Sequence, residues 1–320
     1  MKINRIFSRA DCTGRQSIVC LFAFLASLAS AASISGEALQ HRAGEIRVQT
    51  NLVNILASVR DREGRPITNL PVDAFSVLEE GVPQTIERFE PETNQPLDLA
   101  LMIDTSLSTV RDLKFEGDTA AGFVRKIVRP QDRLSVFEFS DEVLQLSDYS
   151  SNVASLQDAV RRISAGAGTA LYDAVYLGAR SLQRGATERR RVIVLVTDAG
   201  ETTSKTGFDL TRQTAVASGA LLYSIVIREM KSENGRNTAG EHALATITDD
   251  TGGAMYFPDD MSELGAMFDQ IDRELRTQYL LGYYPHPTPP PATYRHVEVR
   301  VKGDYSVRSR REYLTAGASR

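Results

Sequence analysis

The chain is expected to be an α/β protein with a doubly wound, mostly parallel sheet and a small antiparallel β module built from its flanks. Three observations predict this. Leu97–Ile103 and Arg191–Thr197 are almost continuously apolar, as strands buried on both faces of a parallel sheet must be. Between and after them, helical periodicity alternates with further short apolar runs, the pattern of right-handed β-α-β crossovers. On either side of this region, short strand-like stretches are separated by turn residues, which is antiparallel texture.

At 320 residues the chain has room for one large domain or two modest ones. It is 42% hydrophobic and 24% charged, an ordinary globular balance, and its formal net charge of -4 argues against a bulk nucleic-acid binder.

Residues 1–31 read as a secretory signal. Lys2, Arg5, Arg9 and Arg15 form a basic start, Ile18–Leu28 is an apolar run too short to span a bilayer comfortably, and Ala29-Ser30-Ala31-Ala32 supplies small residues for cleavage. The competing reading is an uncleaved anchor. Cys20 lacks the flanking small residue of a lipoprotein signal. Removing this segment takes a net charge of +3 with it and leaves about -7. Both cysteines, Cys12 and Cys20, leave too, so the exported protein relies on a large core rather than disulfides. No later stretch is apolar enough to cross a membrane. The expected location is secreted, periplasmic or cell-envelope.

After a flexible lead-in, residues 45–92 form one strand-rich segment. Its strands are expected near 45–60, at Phe75–Glu79 and at Thr85–Phe89, with turns at Asp61–Pro66 and Glu80–Pro83. Pro91–Pro96 is a linker. Residues 97–277 carry the alternating pattern: strand 97–103, helix 113–128, strands 133–139 and 142–146, helices 153–163 and 170–182, strand 191–197, helix 208–217, strand 221–227, helix 242–249, strand 254–257 and helix 262–275. Residues 278–314 return to strands. Pro285–Pro291 holds five prolines and must be an extended connector, followed by an expected hairpin of 296–301 with 305–310 around Lys302-Gly303-Asp304. Neither flank has enough strands to bury a core alone, so 45–92 and 278–314 are expected to share one sandwich around the α/β unit.

Three loops carry chemistry, and each lies where a strand meets a helix. The first holds Asp104, Ser106 and Ser108, the second holds Thr169 behind two glycines, and the third holds Asp198 in Thr197-Asp198-Ala199-Gly200-Glu201. In a doubly wound sheet such loops converge on one crevice. Any one of these residues alone reads as a cap or turn former. Together they offer two carboxylates and three hydroxyls, an all-oxygen set suited to Mg2+ or Mn2+ rather than to zinc or copper. The four histidines share no ligand spacing, and Arg189-Arg190-Arg191 reads as a solvated face.

Asp104-Thr105-Ser106-Leu107-Ser108, Gly168-Thr169-Ala170-Leu171-Tyr172-Asp173-Ala174 and Thr197-Asp198-Ala199-Gly200-Glu201 resemble the metal-ion-dependent adhesion site of a von Willebrand factor type A domain. The resemblance covers about residues 97–280. It implies that Ser106, Ser108 and Thr169 bind the metal directly, and that Asp104 and Asp198 complete the shell through water or by holding the serines. Ala199 stands where that family usually has glycine. Residues 61–81 and 278–313 are also similar to a secreted bacterial branch of the family, in which an antiparallel module accompanies the type A domain.

The function implied is a non-enzymatic, metal-dependent protein-binding module, with a partner's carboxylate completing the ion's shell. A metal-dependent hydrolase would need a positioned base, and none is evident near the three loops. A third reading is a structural envelope protein whose metal only stiffens these loops.

Overall fold

The computed structural model describes residues 52–91, 94–106, 113–185, 188–227 and 237–317. The expected signal segment, both cysteines, the 45–51 portion of the first strand-rich segment and Ser108 lie outside them.

The α/β unit is a six-stranded sheet. Its strands are β5 (Leu97–Asp104), β6 (Arg133–Phe139), β7 (Val143–Gln145), β8 (Arg190–Thr197), β9 (Leu221–Val226) and β10 (Ala254–Tyr256), in the order β10-β9-β8-β5-β6-β7. All neighbours pair in parallel except β7, which folds back antiparallel on β6. Alternation along the two central strands sorts the helices between two cores. Leu99, Leu101, Ile103, Val192, Val194 and Val196 face α1 (Leu113–Ile127), α2 (Val153–Val160) and α6 (Leu264–Arg276). Ala100, Met102, Ile193 and Leu195 face α3 (Leu171–Gln183), α4 (Phe208–Ser218) and α5 (Thr238–Thr251). On the first face Phe123 stacks on Phe268 with ring centroids 4.3 Å apart, tying α1 to α6.

The flanks form two antiparallel four-stranded sheets. One contains β13 (Ser306–Ser309), β1 (Val53–Arg60), β11 (Tyr279–Tyr283) and β4 (Arg88–Glu90) in that order; the other contains β14 (Glu312–Leu314), β12 (Tyr294–Val301), β2 (Phe75–Glu79) and β3 (Val82–Gln84). Each sheet mixes strands from before and after the α/β unit. Ile55, Ala57, Val59, Phe75, Val77, Tyr279, Leu281, Tyr283, Val297 and Val299 alternate inward into a third core. Glu79 is also buried in this sandwich, and it accepts hydrogen bonds from Tyr283 (2.7 Å), Tyr313 (3.0 Å) and Arg295 (2.9 Å). A buried carboxylate so paired costs far less than a bare one.

Four local expectations differ from the structure. The expected hairpin of 296–301 with 305–310 does not form: β12 pairs with β2 and β14, whereas β13 crosses to the other sheet and pairs with β1. A strand that switches sheets at the corner of a sandwich has the same local signature as a hairpin strand. The turn expected at Glu80–Pro83 is confined to Glu80 and Gly81, both at positive φ, and Val82–Gln84 is already strand. Of the expected Thr85–Phe89 strand only Arg88 and Phe89 belong to a paired strand, which runs on to Glu90. Finally, α5 begins at Thr238, before the apolar periodicity of 242–249 starts.

Candidate metal centre

The chain runs from β5 outward to β6 and β7, then returns to place β8 on the other side of β5. This reversal is the topological switch point of the sheet, and the crevice there opens beyond the carboxyl ends of β5 and β8. Asp104 ends β5, and Asp198 immediately follows β8.

The first loop is held from both sides. The Thr105 backbone N–H donates to the Phe139 carbonyl at the end of β6 (2.9 Å), and the Gly166 N–H from the second loop donates to the Thr105 carbonyl (2.8 Å). Asp104 is 1% exposed. Its Oδ1 accepts the Ser106 N–H (3.0 Å) and its Oδ2 accepts the Thr197 hydroxyl (2.6 Å). The Thr197 Oγ1 in turn accepts the Ala199 N–H (3.0 Å), so one hydroxyl joins loop one to loop three.

The second loop packs tightly. A Cβ on Gly168 would come within 2.6 Å of both the Asp141 Oδ1 and the Thr203 methyl, so a side chain here would have to displace them. Asp141 accepts the Ala167 and Gly168 N–H groups at 3.0 Å each, and these bonds hold its carboxyl below the usual carboxylate range. Thr169 N–H donates to the Thr202 hydroxyl (2.8 Å), and its carbonyl accepts from Thr202 and Thr203 (2.9 and 3.2 Å). Loops two and three are thereby stitched together.

In the third loop Asp198 Oδ1 accepts the Gly200 N–H (2.7 Å). The convergence is visible at Gly200: a Cβ built there would lie 2.9 Å from the Asp198 carboxylate and 3.3 Å from the Thr169 hydroxyl. Glu201 and Ser204 then cap α3, both accepting the Tyr172 N–H at 3.0 Å.

The structure thus gathers Asp104, Ser106, Thr169 and Asp198 at one crevice, while Ser108 lies outside the described residues. Ser106 and Thr169 are buried hydroxyls, at 2% and 5% exposure. Burial raises the Asp104 carboxyl to about 6, against the hydrogen bonds from Thr197 and Ser106 and with added repulsion from Asp198. A divalent cation between the two carboxylates would offset both penalties, and the donors are all oxygen, so the residues fit a hard ion. Among the described residues no group of three His, Cys, Asp or Glu side chains is placed to hold a metal. Sequence reasoning missed Thr197 as a supporting residue. Its signal was a lone hydroxyl at the end of an apolar strand.

Among the described residues no helix is long and apolar enough to cross a membrane. Residues 99–201 match the family model of the von Willebrand factor type A domain. No curated protein matches the chain. Among solved structures, a von Willebrand factor type A protein from Catenulispora acidiphila is 12% identical, with 84% of this chain and 74% of that chain covered and a TM-score of 0.49. The von Willebrand factor domain of the type V pilus tip protein Mfa5 from Porphyromonas gingivalis is 14% identical over 57% of this chain and 95% of that chain, with a TM-score of 0.45. Proximal thread matrix protein 1 from the mussel byssus, solved with its metal-ion-dependent adhesion site occupied by zinc, is 15% identical over 62% and 49%, with a TM-score of 0.49.

Proposed function

We propose that the von Willebrand factor type A domain carried by this chain, matched over residues 99–201, is a metal-dependent protein-binding module that acts outside the cytoplasm. The observation that carries the reading is the crevice at the switch point, where Asp104, Ser106, Thr169 and Asp198 converge. Ser106, Ser108 and Thr169 would hold Mg2+ or Mn2+ through their hydroxyls, with Asp104 and Asp198 accepting from metal-bound water and orienting the loops. When bound, the ion supplies an electrophilic centre. Neutral hydroxyl ligands leave much of its charge uncompensated, so a carboxylate presented by a partner protein is attracted strongly. Binding is the reading supported, rather than catalysis, because the residues gathered here are suited to ligate an ion and to clamp the loops. The flanking segments 45–92 and 278–314 serve as one accompanying module, since both of its sheets mix strands from the two segments.

The test is calorimetric titration of the purified protein with Mg2+ and with Mn2+, repeated on Asp104→Ala. Wild type should show one site and a metal-dependent rise in melting temperature, because a ligand that binds only the folded state stabilises it. Asp104→Ala should keep its circular dichroism spectrum and weaken metal binding by at least about 10- to 100-fold. Partner capture from an envelope extract should be lost both in the variant and with chelator. Absence of a metal response in wild type, or capture that survives both treatments, would overturn the proposal.

A further inference from the structure

At the opposite end of β8 lies a second polar site. Strand β8 runs eight residues from Arg190 to Thr197, which puts its ends about 23 Å apart at the usual rise. A cleft of about 400 Å3 opens there between the amino end of β8, the carboxyl end of α4 and the sandwich strands β1, β11 and β14. Arg189, Arg190, Arg191 and Arg310 all line it, and among the described lining residues none is Asp or Glu.

The arginine run was expected to face solvent. Instead, Arg190 is only 4% exposed, and Arg191 is half-buried. Arg189 is neutralised by Asp98, which it shares with Arg133. Asp132, the carboxylate that acts on Arg190, pairs with Arg276. The remaining three arginines have neutral partners. Arg190 donates to the Leu275 carbonyl (2.7 Å) and to Gln278, Arg191 to the Ser218 carbonyl (2.7 Å), and Arg310 to the Asn54 carbonyl (2.6 Å). The Nε–H groups of Arg190 and Arg191 are buried and have no hydrogen-bond partner, and neither has the Asn54 Oδ1. Burial depresses the pKa of all three arginines, Arg190 to about 10, and it outweighs the favourable charges of Asp132 near Arg190 and Asp98 near Arg191.

Burying a charge with no carboxylate in direct contact is costly, and a buried N–H left unpaired incurs its full desolvation penalty. Guanidinium groups match the oxygens of carboxylates and phosphates. The volume is that of a small-molecule pocket. We propose that this arginine cleft is a binding site for a small anion bearing two or more anionic oxygens, separate from the crevice at the other end of the sheet.

The test titrates the full chain with citrate and, separately, with pyrophosphate, in the presence of EDTA so that metal plays no part, against chloride at matched ionic strength. At least one probe should bind saturably, one per chain, and raise the melting temperature. The two arms distinguish a carboxylate from a phosphate ligand. Arg191→Met and Arg310→Met should each weaken that binding about tenfold or more, as loss of a charge-assisted hydrogen bond does. If either variant fails to fold by circular dichroism, Arg191→Lys replaces it; that change keeps the charge but removes the Nε–H and should weaken binding too. A response no larger than that to chloride with both probes, or affinity unchanged in the folded variants, would overturn the proposal.

Discussion

Glu274 is the most consequential single side chain outside the crevice. It sits in the last turn of α6, is 2% exposed, and reaches into the junction between the α/β sheet and the sandwich. Its carboxylate accepts hydrogen bonds from Ser58 of β1 (3.0 Å), Tyr223 of β9 (2.8 Å) and Tyr256 of β10 (3.4 Å), and pairs with Arg60 of β1 and Arg308 of β13. Glu274→Ala therefore strands two arginines and three hydroxyls at once. Removing one partner of a buried ion pair costs about 3–5 kcal/mol. That is about a fifth or more of a typical domain stability of about 5–15 kcal/mol. At roughly 2–4 °C per kcal/mol, the melting temperature should fall by roughly 6–20 °C. Asp269→Ala is the control. It breaks the exposed Lys126–Asp269 pair, whose side chains are 52% and 40% accessible, and should cost about 0–1 kcal/mol. Urea denaturation at pH 7, followed by circular dichroism, measures both. If Glu274→Ala costs no more than Asp269→Ala, the buried carboxylate does not organise this junction and the reasoning fails.

Two further outcomes follow from named contacts. Burial pushes the Glu274 carboxyl up, but the charges and hydrogen bonds of Arg308, Arg60 and Tyr223 win and hold it below its ordinary value of 4.5. Its stabilising contribution should be fully present above pH 4.5 and lost as the pH falls through the depressed value, so urea midpoints of wild type and Glu274→Gln should converge on acidification; a gap that stays constant down to the acid transition refutes the linkage. Gly240, in the first turn of α5, has room for no side chain: a Cβ there would lie 1.9 Å from the Ala199 carbonyl. Gly240→Ala should cost about 1–3 kcal/mol through overpacking and, by displacing the loop that carries Asp198, weaken Mg2+ binding about tenfold in calorimetry; unchanged metal affinity in a destabilised variant would separate packing from the site.

Much of the α/β sheet was legible because burial on both faces writes itself into β5 and β8 as unbroken apolar runs, and the aspartates that end them stand out against that background. Gly166 and Gly168 were legible as a loop, though the reason for the second, its approach to Asp141, is a contact 27 residues away. What stayed hidden depends on remote partners. The Arg189–Arg191 run has the composition of a solvated face; Arg190 is buried by the Leu275 carbonyl and Gln278, more than 80 residues on. The sheet switch of β13 is set by pairing with β1, which no local pattern near Lys302-Gly303-Asp304 records. The first turn of α5 has no apolar periodicity because its burial comes from Gly240 against the Ala199 backbone and from the polar Glu241, not from apolar side chains.

Ala199 shows how these links combine at the crevice. Its φ is +64°, in the left-handed region where a Cβ costs about 1–2 kcal/mol, which gives a physical reason for glycine at this position in the proteins it resembles. Here the methyl is fully buried in the core between the sheet and α3–α5. Burying one methyl returns about 0.8 kcal/mol, and alanine loses less conformational freedom on folding than glycine does. The two effects nearly cancel, so alanine is tolerated without a large loss of stability. The gain is restriction: the Ala199 N–H is fixed by Thr197, its carbonyl abuts Gly240, and Asp198 next to it is turned onto the Gly200 N–H. A loop held at three consecutive residues presents its carboxylate in one place, ready for the ion proposed to bind there. Preorganisation of that kind lowers the entropy cost of binding, and it favours a site that responds to a ligand without rearranging its own backbone.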